Sequence, residues 1–183
     1  SIGTILIISF FVRSQSTNAN NASIILNKAM VFMAQKDNLN AMIFLQEAYD
    51  EYSNTASGLD AAYYLGKIHF DRGDYDLSQS FLKKYTNKGS NKLLLGASCK
   101  ILADIYEKNN ELEKAIKFQR LQLKYVNTKL DNAYANINIA LLSFKMGDGK
   151  SATTLIDQII KENSENFAIV QLAEQAKGQL LVK

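Results

Sequence analysis

Apolar residues recur along this chain at a helical spacing that breaks and resumes at regular intervals. From Ala22 onward, Ile25, Leu26, Ala29, Phe32 and Met33 form a stripe near period 3.6. Lys36-Asp37-Asn38 interrupts it, and Ala41, Phe44, Leu45, Ala48 and Tyr49 restore it. This predicts two antiparallel helices joined by a tight turn. The figure then repeats. Helices over 61–70 and 76–85 flank a turn at 72–75, where Gly73 suits a left-handed helix end and Asp74 the next N-cap. A third hairpin covers about 97–126 and turns at 109–111; a fourth covers about 133–161 and turns at 147–149. Polar loops are predicted at 53–58 and 87–91. A last helix, over 165–182, has no partner and reads as a cap on the apolar end of the array.

Laid on a spacing of 37, Ala29, Gly66, Ala103 and Ala140 fall in register. So do Ala41, Ser78, Ala115 and Ala152, and so do Phe44, Phe81, Phe118 and Leu155. A fixed period of roughly 20–50 residues signals a repeat array. The two small-residue series belong where the helices of one hairpin cross closely, and the third is expected to fill the seam between hairpins. The reading is an all-α solenoid of about four right-handed helical hairpins over 22–163, with a capping helix over 164–183.

Composition changes this picture little. The chain has 183 residues, no Pro and no Trp, so no helix is broken by a missing N–H. A net charge of +3 with interspersed acids and bases offers no basic stripe for nucleic acid. Cys99 is the only cysteine, which excludes an internal disulfide. Residues 1–12 carry no charged side chain, and Arg13 ends the run. That run is too short to span a bilayer, which needs roughly 20 residues. Residues 1–13 are therefore expected to be the end of a transmembrane anchor continuing upstream, with a signal-peptide core or a helix packed on the array as alternatives. Residues 14–21 read as a polar linker.

Candidate chemistry is thin. Gly147-Asp-Gly-Lys-Ser151 resembles the end of a phosphate loop, but Phe144 stands where the first Gly is needed and no strand precedes it, so a turn is expected. His69 is the only histidine and occupies the place of Phe32 and Tyr106, a packing position. Cys99 aligns with Ala62, which predicts a small buried hydrophobe. Asp104, Glu107, Glu111 and Glu113, mixed with Lys108, Lys114 and Lys117, read as a solvated helix face. No nucleophile–base pair or metal set emerges, so neither an enzyme, a cofactor nor a small-molecule substrate is expected. The working surface is expected on the inner face of the first helices: Leu26, Met30 and Met33, then Tyr63, Lys67 and Phe70, then Lys100, Asp104 and Glu107, then Tyr134, Ile137, Leu141 and Phe144. This is a groove with apolar ends and a charged middle, suited to protein segments.

The stretch 64–82, Tyr-Leu-Gly-Lys-Ile-His-Phe-Asp-Arg-Gly-Asp-Tyr-Asp-Leu-Ser-Gln-Ser-Phe-Leu, resembles the tetratricopeptide repeat in its Leu65-Gly66 and Gly73-Asp74-Tyr75 pairs. Ala103-Asp104-Ile105-Tyr106 with Glu113-Lys114-Ala115 matches again. The usual repeat has 34 residues and a closing Pro; this one is longer and lacks it. The resemblance implies a protein-interaction array. Only Lys67 and Lys100 could clamp a terminal carboxylate on the inner face, which disfavours a carboxylate-clamp co-chaperone. The layout, together with the phrase running from Tyr52 to Leu65, is also similar to the YfgM-type family of single-pass bacterial inner-membrane proteins. That resemblance implies a periplasmic repeat domain beside the SecYEG translocon. Its implied partners are translocon subunits, a PpiD-type chaperone or exported chains, and it supplies no catalytic residues. The alternative is a repeat scaffold in envelope or outer-membrane protein assembly.

Overall fold

A computed structural model describes residues 2–126 and 128–181, with side chains from Arg13 onward. Among the described residues the chain is all-α. Its helices are α1 (Ile2–Ala34), α2 (Asn38–Tyr52), α3 (Ala56–Asp71), α4 (Tyr75–Lys88), α5 (Lys92–Lys108), α6 (Leu112–Gln122), α7 (Lys129–Lys145), α8 (Gly149–Glu162) and α9 (Phe167–Leu181). The chain divides into two compact units, residues 1–94 and 95–183.

Each hairpin turn is built the same way. Asp37, Asp74, Glu111 and Asp148 each donate a backbone N–H to the carbonyl five residues back, on Phe32, His69, Tyr106 and Ser143, at 2.8–3.0 Å. The preceding residue takes the left-handed conformation: φ is 61° at Lys36, 84° at Gly73, 59° at Asn110 and 91° at Gly147. This double closure of a helix end satisfies carbonyls that would otherwise be orphaned. The period of 37 is thus written into the backbone as well as the core. At the following helix start the Asp37 carboxylate accepts from Asn40 N–H, and Asp148 accepts from Ser151 N–H. Asp74 does not cap α4; its Oδ2 lies 3.3 Å from His69 Nδ1 and 3.7 Å from Arg72 Nε instead.

In unit 1 the core joins Ile25 and Ala29 of α1, Ala41, Leu45 and Ala48 of α2, and Ala61, Leu65 and Ile68 of α3. Small residues set the crossing distance. A Cβ on Gly66 would meet Leu82 Cγ at 2.6 Å and the Ser78 carbonyl at 3.3 Å, so α3 and α4 cross through glycine where the other hairpins use alanine. In unit 2 the core joins Ala133, Ile137 and Ala140 of α7, Ala152, Ile156 and Ile159 of α8, and Ile169, Ala173, Ala176 and Leu180 of α9. The last helix packs on α7 and α8.

Three expectations change. Phe44, Phe81 and Phe118 stack within their own hairpins rather than filling the seam: on Phe32 at 5.5 Å, on His69 at 5.8 Å and on Tyr106 at 5.4 Å between ring centroids. Phe81 also reaches back, edge-on, to Tyr49 of the previous hairpin. The loops are shorter than their polar composition suggested, because Thr55 caps α3 and helix resumes at Ala56. Residues 14–21, read as a linker, are helical within α1. Polar side chains without Pro or Gly do not end a helix, and Thr17 Oγ1 donates to the Arg13 carbonyl at 3.0 Å. Among the described residues no helix is long and apolar enough to cross a membrane. The side chains of residues 1–12, where the anchor was expected, lie outside the described residues.

Candidate functional site

The predicted inner-face residues separate once burial is known. In unit 1, Leu26 and Met33 pack against the hairpin core and Met30 is half-buried. Tyr63 is only 8% exposed, with its ring against Tyr64 and Tyr85. Burial, then the neighbouring Tyr64 and Asp71, pushes its phenol pKa up. It is a core residue, because Tyr85 of α4 packs over it. Phe70 leans on Tyr75, and Lys67 is tied to Asp71 by an i,i+4 ion pair.

In unit 2, Ile137 is 6% exposed and belongs to the core, which removes it from the surface series. Tyr134 is exposed, as is Lys100. Asp104 is half-buried, and desolvation raises its carboxyl pKa against the lowering pull of Lys100. Glu107, Leu141 and Phe144 do come together, in a pocket of about 360 Å³ lined also by Asn138, Leu142, Lys145 and Gln179. Its apolar wall is Leu141, Leu142 and Phe144, held from behind by the unit 2 core. Glu107 of α5 and Lys145 of α7 form an ion pair at its edge. Asn138 of α7 and Gln179 of α9 bring side-chain amides beside that ion pair and the apolar wall, and each can both donate and accept.

The sequence reading missed Asn138, Leu142, Lys145 and Gln179. Asn138 and Lys145 stand three residues before and four after Leu141, on the same helix face. That spacing was available in the sequence. Gln179 was not, since the final helix was read only as a cap.

The other candidates resolve as packing. His69 is 8% exposed and stacks on Phe81. Cys99 is fully buried, and desolvation pushes its thiol up to about 12, which keeps it protonated at neutral pH. Gly147–Gly149 is the turn into α8, with Gly147 left-handed.

With this geometry in hand, the comparisons agree on the type of array. Residues 98–125 match the tetratricopeptide repeat family. That match covers one hairpin of the array. A TPR repeat-containing protein of Methanocaldococcus jannaschii, MJ1428, is 33% identical over 107 residues, which are 58% of this chain and 18% of that protein. The chain thus spans under a fifth of that relative's length. Two solved structures of the nearly identical TPR-like repeats of a kinesin light chain assigned in Podosopora anserina, one of them a single-substitution variant, superpose with a TM-score of 0.63 at 14% identity. They cover 88% of this chain and 88% and 89% of theirs. At that identity the likeness speaks for the fold.

Proposed function

We propose that this protein is a non-enzymatic interaction module that holds a segment of a partner polypeptide in the unit 2 pocket. The observation that carries this reading is the pocket itself: an apolar wall of Leu141, Leu142 and Phe144 beside the amides of Asn138 and Gln179. An apolar cavity with a few convergent polar groups is the usual form of a binding site. The wall takes an apolar side chain, and the two amides bond the main chain next to it. Tyr134, one turn before Asn138 and 45% exposed, extends the contact along α7. Such an arrangement binds; it does not make or break bonds.

The finer placement we propose is a membrane-held array beside a protein-export channel, working with a periplasmic chaperone. Its support is the apolar run of residues 1–12, which from Ile2 onward is one helix with the start of the first hairpin, and the overall layout. The test of the pocket is a pair of substitutions at its rim, Asn138→Lys and Gln179→Lys. Both should lower capture of the partner segment while helicity is unchanged. Undiminished capture by the double variant would remove the pocket from the account.

A further inference from the structure

The repeat period allows the first hairpin to be compared with the others position by position, and one face of it stands out. Ile24 and Val31 of α1 are 48% and 55% exposed. Their equivalents are Ala61 and Ile68 in α3, Ser98 and Ile105 in α5, and Ala135 and Leu142 in α7, all at 2% or less. Between them, Lys28 stands where α3, α5 and α7 carry Leu65, Leu102 and Ile139, each at 5% or less. In unit 1 the function of this face is visible: Ala61, Leu65 and Ile68 of α3 are buried in one core with Leu45 and Ala48 of α2, against which the half-buried Tyr49 and Tyr52 also pack. The face of α1 is the same docking surface, continuous in kind with the α2–α3 interface, but covered by no other helix of unit 1 and with a cation at its centre.

We infer that Ile24, Lys28 and Val31 form a docking face for an amphipathic helix of another protein, one that presents apolar residues on successive turns and a carboxylate opposite Lys28. Two features fix that chemistry. The equivalent surface of α3 takes a helix with apolar residues at i, i+3, i+4 and i+7. Lys28 has no ion pair among the described residues; its Nζ lies 5.8 Å from the centre of the Phe44 ring. A helix with an apolar residue at the central place would desolvate that ammonium, whereas a carboxylate there would pair with it. A two-fold pairing with a second copy centred on this face would set Lys28 against Lys28, which opposes self-association. The face is separate from the unit 2 pocket and does not depend on it.

The test uses a synthetic helix copying residues 38–52 of this chain, stapled on its outer face. Leu45, which shares its buried core with Leu65, the equivalent of Lys28, is replaced by Glu in one form and by Lys in the other. The inference predicts that the Glu form binds the intact protein about fivefold or more tighter than the Lys form, the effect expected of converting a repulsive exposed pair into an attractive one. Lys28→Glu should reverse the preference. Val31→Asp should weaken both forms, with the circular dichroism of the protein unchanged. Equal binding of the two forms, or a preference that survives Lys28→Glu, would overturn the inference. So would loss of helicity in Val31→Asp, which would make Val31 a core residue. A dimer in sedimentation that Val31→Asp dissociates would assign the face to a second copy and equally overturn it.

Discussion

Lys36 and Asn110 hold the same left-handed backbone conformation, φ 61° and 59°, at turn positions where the second and fourth hairpins place Gly73 and Gly147. The turn needs this conformation because the next residue must donate its N–H five residues back along the chain. An L-residue with a Cβ adopts it only with steric strain, Lys more than Asn. Lys36→Gly is expected to raise stability by about 0.5–1 kcal/mol, and Asn110→Gly by less. Urea unfolding of the two variants checks this. A loss in both would mean that the side chains contribute more than the strain removes.

Gly66 governs how closely α3 and α4 approach. Its missing Cβ would sit 2.6 Å from Leu82 Cγ, and Leu82 is fully buried. Gly66→Ala is expected to cost about 1–3 kcal/mol although Ala favours helix. Adding Leu82→Val should recover part of the loss, so the double variant costs less than the two single changes together. Strict additivity in thermal unfolding would refute the steric account.

Gln119 is 2% exposed and its Oε1 has no hydrogen-bond partner among the described residues. The equivalent positions hold Leu45, Leu82 and Ile156, all fully buried. Unit 2 thus carries an amide at a place the repeat fills with hydrocarbon. Gln119→Leu is expected to stabilise by about 1–3 kcal/mol, since it removes an unsatisfied buried acceptor at nearly constant volume. Destabilisation in calorimetry would reveal a partner for that amide.

Acid weakens two of the helix starts. Side-chain and backbone hydrogen bonds from Asn40 lower the Asp37 pKa, and those from Ser151 lower that of Asp148, below the ordinary 3.8. The unfolded chain therefore binds these protons at higher pH than the folded one. Their stabilisation is complete above the unfolded value and is lost as pH falls through the folded value. Asp37→Asn and Asp148→Asn keep a good N-cap. The pair should leave stability at pH 7 nearly unchanged and flatten the fall between about pH 4 and pH 2. An acid limb as steep as in the parent would place that pH dependence elsewhere.

Much of the fold was legible because a repeat states its rules several times. One alanine at position 29 means little; Ala29, Gly66, Ala103 and Ala140 in register mean a helix crossing. The turns were legible for the same reason, with Gly73 and Gly147 marking a conformation that Lys36 and Asn110 conceal. The aromatic series was expected to fill the seam; its rings stack within their own hairpins and Phe81 also meets Tyr49 of the previous one, since periodicity gives the position of Phe44 but not which neighbour it meets. The site was less legible. Tyr63 and Ile137 lie on the predicted face by register, yet α4 and the unit 2 core close over them. The pocket needs Gln179 from a helix outside the repeat pattern, and no spacing within one hairpin could indicate it.

The central claim is that the unit 2 pocket receives a partner segment. The most direct measurement is site-specific photo-crosslinking in cells from Tyr134 and Asn138, with exposed Thr153 on α8 as reference, followed by peptide mapping of the products. The account predicts that Tyr134 and Asn138 crosslink to the same short segment of a partner, that the segment carries an apolar residue at the Asn138 crosslink, and that Thr153 gives no such product. Crosslinks from Thr153 to that segment, or none from Asn138 while Thr153 reacts, would contradict it.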